Sequence, residues 1–431
     1  EMGRAQIVQA EAAGIAPHTD MNPILLKPSG EKQSQVILNG RVHANHTAMD
    51  YHREKDFYFS MARAAFDRLT KEYDRIVLEG AGSCAEVNLM ASDVVNLPMA
   101  AHANADVVLT ADIHRGGVFA QIVGTLACLD KTDQDRIKGF IINRFRGDIA
   151  LFKDGVKWIE EQTGKRVYGV LPWYSHFRVD AEDSVEVECA GSLADLDPDR
   201  PAVGILRLPH IANFTDFHAL TRQAAFQTLF VDRPARLERL DAVIIPGSKN
   251  TRADLAWLKQ TFGQVLTDYH RKGGFIFGIC GGYQMMGSWV EDPDGLEGDP
   301  GRTEGLNLLP VRTVLKAPKT TTRSSFTWNN LSGSGYEIHM GVSTLTGGSP
   351  LLNIQTRNAQ PAADTDGCIR DDHRAAGTYV HGFFDSSPVL NAWLDMAGIQ
   401  IKGPLEDPSR DKDYQLLKQH FEDHVDLSDL V

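Results

Sequence analysis

Gly278-Ile279-Cys280-Gly281-Gly282 sets a thiol in a G-x-nucleophile-x-G spacing. Small residues on both sides let the backbone take the strained turn that lifts a nucleophile off the end of a strand. A thiol so placed can attack a carbonyl carbon, provided that a base takes its proton and backbone N–H groups meet the developing oxyanion. For the base, the candidate is His381, at the end of the β-like run Gly377-Thr378-Tyr379-Val380. For the oxyanion, the candidates are the backbone amides of Gly247 or Ser248, in the loop Ile244-Ile245-Pro246-Gly247-Ser248-Lys249-Asn250, and of Gly281. N–H groups at the start of the helix that follows Cys280 favour its thiolate. Cys280 as one more small buried residue leaves the other segments without a purpose.

A second group of chemical residues lies in the first half. Glu79-Gly80-Ala81-Gly82-Ser83 puts a carboxylate before a glycine-rich turn, as a Mg²⁺–phosphate site needs. Ala111-Asp112-Ile113-His114-Arg115-Gly116-Gly117 offers another carboxylate, a cation for phosphate and glycines at a helix start. Asn143-Arg144-Phe145-Arg146 offers an amide able to read a base edge. Each alone is an ordinary polar cap on a strand-to-helix loop; three at successive strand ends point to a nucleotide site.

The elements that must position these groups follow from apolar patterning. A helix at 56–72 leads into an expected strand at 75–78; strands at 106–110, 139–142 and 167–171 alternate with helices at 118–129 and 150–163. That alternation calls for a parallel, doubly wound sheet. The polar, proline-bounded stretch Ala190–Pro201 reads as a linker. Beyond it, strands at 203–206 and 242–245, a helix at 253–271 and the strand Phe275–Ile279 build a second α/β domain, with antiparallel character at 302–352. The expected division is 1–195 and 202–431, with a surface helix in the tail after Pro404.

At 431 residues the chain exceeds one ordinary domain. Its net charge of −13 disfavours nucleic acid, whose phosphates need a basic face. Five cysteines without CxxC spacing fit a reducing compartment, and cytoplasm is the expected location. No apolar run reaches membrane-spanning length, and no membrane partner is expected.

The segments around Cys280, His381 and Pro246-Gly247 resemble the class I glutamine amidotransferase domain, a flavodoxin-like fold. The resemblance implies Cys280 as nucleophile, His381 as base, and ammonia released from glutamine through a thioester. That family usually carries an acid two residues after the histidine; here Phe383 stands there, which resembles the dyad subgroup, with Glu337 and Asp385 as the expected substitutes. The first half resembles the dethiobiotin-synthetase-like, P-loop-NTPase-like amidoligases. Most closely, the chain resembles the cobyric acid synthase family, through EMGRAQ at Glu1–Gln6, MNPILLKP at Met21–Pro28, LEGAGS at Leu78–Ser83, ADIHRGGVF at Ala111–Phe119, RLPHIANFTDF at Arg207–Phe217 and GYEIHMG at Gly335–Gly341.

By that resemblance Glu79 ligates Mg²⁺, Asn143 reads adenine, and Asp112 and Arg115 lie near the phosphates or the substrate carboxylate. ATP and Mg²⁺ are the implied cofactors, glutamine the nitrogen donor, and a corrinoid, adenosylcobyrinic acid a,c-diamide, the acceptor. Family members open with a strand and a Walker-A-like loop; no GxxxxGK[ST] occurs here, so an N-terminal truncation is expected. Three alternatives stay open: an a,c-diamide synthase-type amidotransferase, a glutaminase without ligase activity, and a nucleotide-switch protein of the partitioning type. A homo-oligomeric state is open as well.

Overall fold

The computed structural model describes residues 1–28, 33–174, 196–234, 237–406 and 410–430. The chain divides into two compact α/β units: Glu1–Val179 together with Arg410–Val431, and Asp180–Ser409. Residues 190–195 of the expected linker lie outside the described residues.

In the first unit the expected parallel sheet forms from Val107–Asp112, Ile137–Phe145 and Arg166–Pro172, in that order. Alternate residues of the central strand serve two faces: Phe140 and Ile142 pack with Val118, Ile122 and Ile159, whereas Ile141 packs with Tyr168 and Val425. A parallel sheet needs both faces covered, and here the end of the chain covers the second. Phe421, Leu427 and Leu430 pack there, Val425 forms an antiparallel bridge with Gly169, and Arg410 pairs with Glu11. The tail helix Asp411–Glu422 therefore belongs to the first unit, which corrects the expectation that the second domain runs to 431.

The expected strand at 75–78 does not form. Val77 is 97% exposed and Leu78 41%. An apolar run becomes a strand only where a neighbour completes its hydrogen bonds, and no described strand pairs with this one. Ahead of it, Ile24–Pro28, Gln33–Leu38 and Arg41–Thr47 make an antiparallel meander. Asn39 and Gly40, both at positive φ, turn its second strand into the third.

The second unit is built on a six-stranded sheet, ordered Cys368–Ile369, Ala375–Thr378, Phe275–Ile279, Ala242–Ile245, Ala202–Leu206 and Gln227–Val231. All its pairs are parallel except the first. The central strands are apolar throughout because both faces are covered. Val243, Ile245 and Ile276 face one cluster, Ile244, Phe275 and Phe277 the other. A separate mixed sheet contains the antiparallel hairpin Val311–Trp328/Leu331–Leu345, closed by Asn329 and Asn330 at positive φ. This hairpin reaches the main sheet's end through a bridge between Tyr336 and His381. No helix among the described residues is long and apolar enough to cross a membrane.

Candidate active site

The expected elbow is present. Phe275–Ile279 ends at Cys280, whose φ of 50° and ψ of −110° strain the backbone, and a short helix, Gly281–Met285, follows. Its glycines are required by close approach. A Cβ at Gly278 would sit 2.7 Å from the Tyr283 backbone, and one at Gly282 would sit 1.9 Å from the Ile245 carbonyl oxygen. Cys280 donates its N–H to Thr378 O at 2.8 Å, and its Sγ lies 3.7 Å from the Ile338 carbonyl. The thiol is 7% exposed.

Parallel pairing of Phe275–Ile279 with Ala375–Thr378 brings the run that carries His381 alongside. A side chain grafted onto Gly247 would begin 3.5 Å from His381 Cε1 and 3.7 Å from Cys280 Cβ. The three residues therefore line one small space, and position 247 leaves it open by having no side chain. A Cβ on Gly281 would lie 2.9 Å from the Ser248 amide nitrogen, so Gly281 stands beside the loop whose Gly247 or Ser248 amide is the other oxyanion candidate. Gly247–Ser248 is held by antiparallel pairing with Ile211–Ala212. The Ser248 hydroxyl donates to Asp254 at 2.6 Å, and Asp254 also accepts the N–H of His210. Asn250 caps the helix Thr251–Arg271 by accepting the Ala253 N–H, which fixes the far end of the loop.

His381 is fully buried, and its ring stacks on Tyr336 with centroids 4.9 Å apart. Its backbone exchanges both hydrogen bonds with Tyr336, at 2.8 and 3.1 Å. Nδ1 lies 2.7 Å from Asp216 Oδ2, and the Asn213 amide lies 3.0 Å from Nε2. Burial alone would depress the His381 pKa; the Asp216 carboxylate and the Cys280 sulfur, each as charge and as hydrogen-bond partner, outweigh it and raise it to about 10.

Of the substitutes expected for the missing acid, Glu337 is engaged elsewhere. Glu337 accepts from Arg357 Nε at 2.9 Å and from the Ser324 hydroxyl at 2.5 Å. Asp385 packs against Gly382, with a carboxylate oxygen 3.1 Å from where a side chain there would begin. The carboxylate that meets His381 is Asp216, a residue that sequence reasoning missed. Its signal was the FTDF run within Arg207–Phe217, a matched segment to which no role was attached.

In the first unit, Asp112 ends its strand as the Cα partner of Asn143, two residues before the end of the neighbouring one. Asp112 accepts the His114 N–H at 2.8 Å and pairs with Arg144 at 3.1 Å, and Asn143 Oδ1 accepts the Arg144 N–H at 2.8 Å. Trp173, beyond the third strand, carries the guanidinium groups of Arg144 and Arg146 on its ring at 4.9 and 3.9 Å. Arg115 is exposed on the loop that follows Asp112. Glu79 is exposed on a separate loop and accepts from Gln9 Nε2 at 2.6 Å. Magnesium takes one or two carboxylates and completes its shell with water and phosphate oxygens; a lone exposed carboxylate before a glycine turn fits that demand. Among the described residues no group of three or more His, Cys, Asp or Glu forms an all-protein metal cage.

Known proteins match along the whole length. Residues 202–389 match the CobB/CobQ-like glutamine amidotransferase domain, and residues 26–178 match an AAA domain. The cobyric acid synthase of Chlorobium phaeobacteroides (strain BS1) is 45% identical over 434 residues, covering 99% of this chain and 87% of that protein. The cobyric acid synthase of Chlorobaculum tepidum is 45% identical over 447 residues, with 100% and 87% covered. That of Bacteroides fragilis is 43% identical over 436 residues, with 99% and 86% covered. The chain belongs to the cobyric acid synthase family, a family of glutamine-hydrolysing amidotransferases.

Proposed function

We propose that this chain uses ATP and glutamine to amidate the b, d, e and g carboxylates of adenosylcobyrinic acid a,c-diamide, giving adenosylcobyric acid, in the cytoplasm. The observation that carries the reading is the meeting of Cys280, His381 and the Gly247–Ser248 backbone around one space. The family supplies the acceptor. Asp180–Ser409 is the glutaminase and the remaining unit the ligase.

Cys280 Sγ bonds to the side-chain amide carbon of glutamine, and the N–H groups of Ser248 and Gly281 take the charge on its oxygen. His381, which holds a proton at neutral pH, passes it to the leaving nitrogen, and ammonia departs. Water then attacks the thioester, His381 takes the proton back, and the sulfur leaves as glutamate is freed.

In the ligase unit the acceptor carboxylate takes the γ-phosphoryl group of ATP as ADP leaves; ammonia attacks the acyl carbon of that mixed anhydride, loses a proton, and phosphate leaves. Arg115 and Asp112 lie near the transferred group and Asn143 at the base. Glu79 would hold Mg²⁺, which when bound offsets phosphate charge.

Cys280→Ser should abolish amidation with glutamine while amidation with added ammonium salt persists. Loss of both activities in a folded variant would refute the two-site scheme.

A further inference from the structure

The base of the glutaminase has a buried acid beside it that comes from far away in the chain. Asp216 lies in the turn Phe214–Phe217, 165 residues before His381. One of its oxygens lies 2.7 Å from His381 Nδ1, and the other accepts the N–H of Gly382 at 3.1 Å. Asp216 is 3% exposed and His381 0%. Both the imidazole and the backbone just beyond it are thus fixed by one carboxylate.

Position 383, where the wider amidotransferase pattern carries its acid, is closed to one here. Phe383 is fully buried, with its ring centroid 5.1 Å from Phe277, 5.5 Å from Trp328 and 6.0 Å from Phe326. A carboxylate among those rings would be buried without partners, at a cost of several kcal/mol. The ring of His381 instead meets an acid delivered from 165 residues earlier in the chain.

We propose that Asp216 is the positioning residue that completes a Cys–His–Asp triad, taking over the task usually given to the acid two residues after the histidine. The inference rests on the glutaminase reading given above. The carboxylate accepts Nδ1–H, so Nε2 is the nitrogen left to trade a proton with Cys280, and its charge offsets that of the imidazolium. Other groups described at the ring are the Cys280 sulfur, the stacked Tyr336 and the Asn213 amide. The segment that carries Asp216 also carries Ile211–Ala212, which pairs with the oxyanion loop Gly247–Ser248. One stretch of chain therefore sets the orientation of the base and holds the amides that receive the oxyanion.

The test is steady-state glutamine hydrolysis by the full chain, with the rate of Cys280 alkylation by iodoacetamide followed against pH. Asp216→Asn should lower kcat on the order of 100-fold, with KM within about threefold of the parent. Alkylation near neutral pH should slow, with the pH profile displaced, because the imidazole no longer has a carboxylate to hold it protonated. Asp216→Glu, which keeps the charge on a longer arm, should recover part of kcat. Should Asp216→Asn fail to fold, NMR titration of His381 in the parent protein decides: retention of its proton through neutral pH supports the triad, and titration near the ordinary histidine value overturns it. Parental kcat and alkylation profile in Asp216→Asn, or Asp216→Glu no better than Asp216→Asn, also overturns it. A parent protein that does not hydrolyse glutamine would instead sink the glutaminase reading itself.

Discussion

Gly281→Ala is the sharpest probe of the oxyanion geometry. A methyl group there would begin 2.9 Å from the Ser248 nitrogen and 3.3 Å from Ser248 Cβ, inside ordinary carbon–nitrogen contact. The Gly247–Ser248 pair is a two-residue ladder, so it can give way by the few tenths of an ångström needed, and the Ser248 N–H moves off the oxyanion position. Complete loss of one such donor costs about 2.7–4 kcal/mol of transition-state stabilisation. Displacement forfeits part of that, so kcat for glutamine hydrolysis should fall about 10- to 50-fold with little change in KM. Thermal stability should drop only modestly. Gly282→Ala is the companion: its methyl would stand 1.9 Å from the Ile245 carbonyl oxygen, in the central strand, and no such yielding is available. It should prevent the second unit from folding. If Gly281→Ala hydrolysed glutamine within about twofold of the parent rate, the two amides would not form the oxyanion site.

Two further outcomes follow from charge and packing. Burial would raise the Glu337 pKa, but the His339 ring 3.6 Å away and hydrogen bonds from Arg357 and Ser324 pull it down to about 2 from an ordinary 4.5. A depressed carboxylate stabilises above its unfolded pKa and loses that contribution as pH falls through its folded one, so about 3 kcal/mol present at neutral pH should fade between pH 4.5 and about 2. In urea unfolding, the deficit of Glu337→Gln relative to the parent should therefore shrink across that window; a deficit independent of pH contradicts the assignment. Deleting residues 410–430 uncovers Ile141 and Tyr168, and by the usual cost of exposing core side chains should destabilise the first unit by about 4 kcal/mol. Calorimetry should show a lower transition for that unit, and an unchanged thermogram refutes the packing.

What the sequence disclosed was what is local. The elbow was legible because a buried strand, a nucleophile and flanking glycines are contiguous, and the close approaches at Gly278 and Gly282 give the physical reason for those glycines. The candidate base His381 was legible because it ends a strand-like run. Its acid was not: Asp216 and His381 meet only after the sheet has formed, and no periodicity encodes a pairing over 165 residues. The run at 75–78 misled for the converse reason, since apolar residues announce a strand without saying whether a neighbour stands beside it. The tail helix was expected from its spacing of Tyr414, Leu416, Leu417 and Phe421, yet which unit it covers is a property of the surface it meets.

The interruption of the first unit bears on how the chain is made. Its last 22 residues, Arg410–Val431, are separated from the rest of it by the 230 of Asp180–Ser409. On a ribosome adding about 5–20 residues per second, the face around Ile141 and Tyr168 waits roughly ten to fifty seconds for its cover. The second unit, contiguous in the message, can finish first, so the earlier-synthesised first unit is the later to mature.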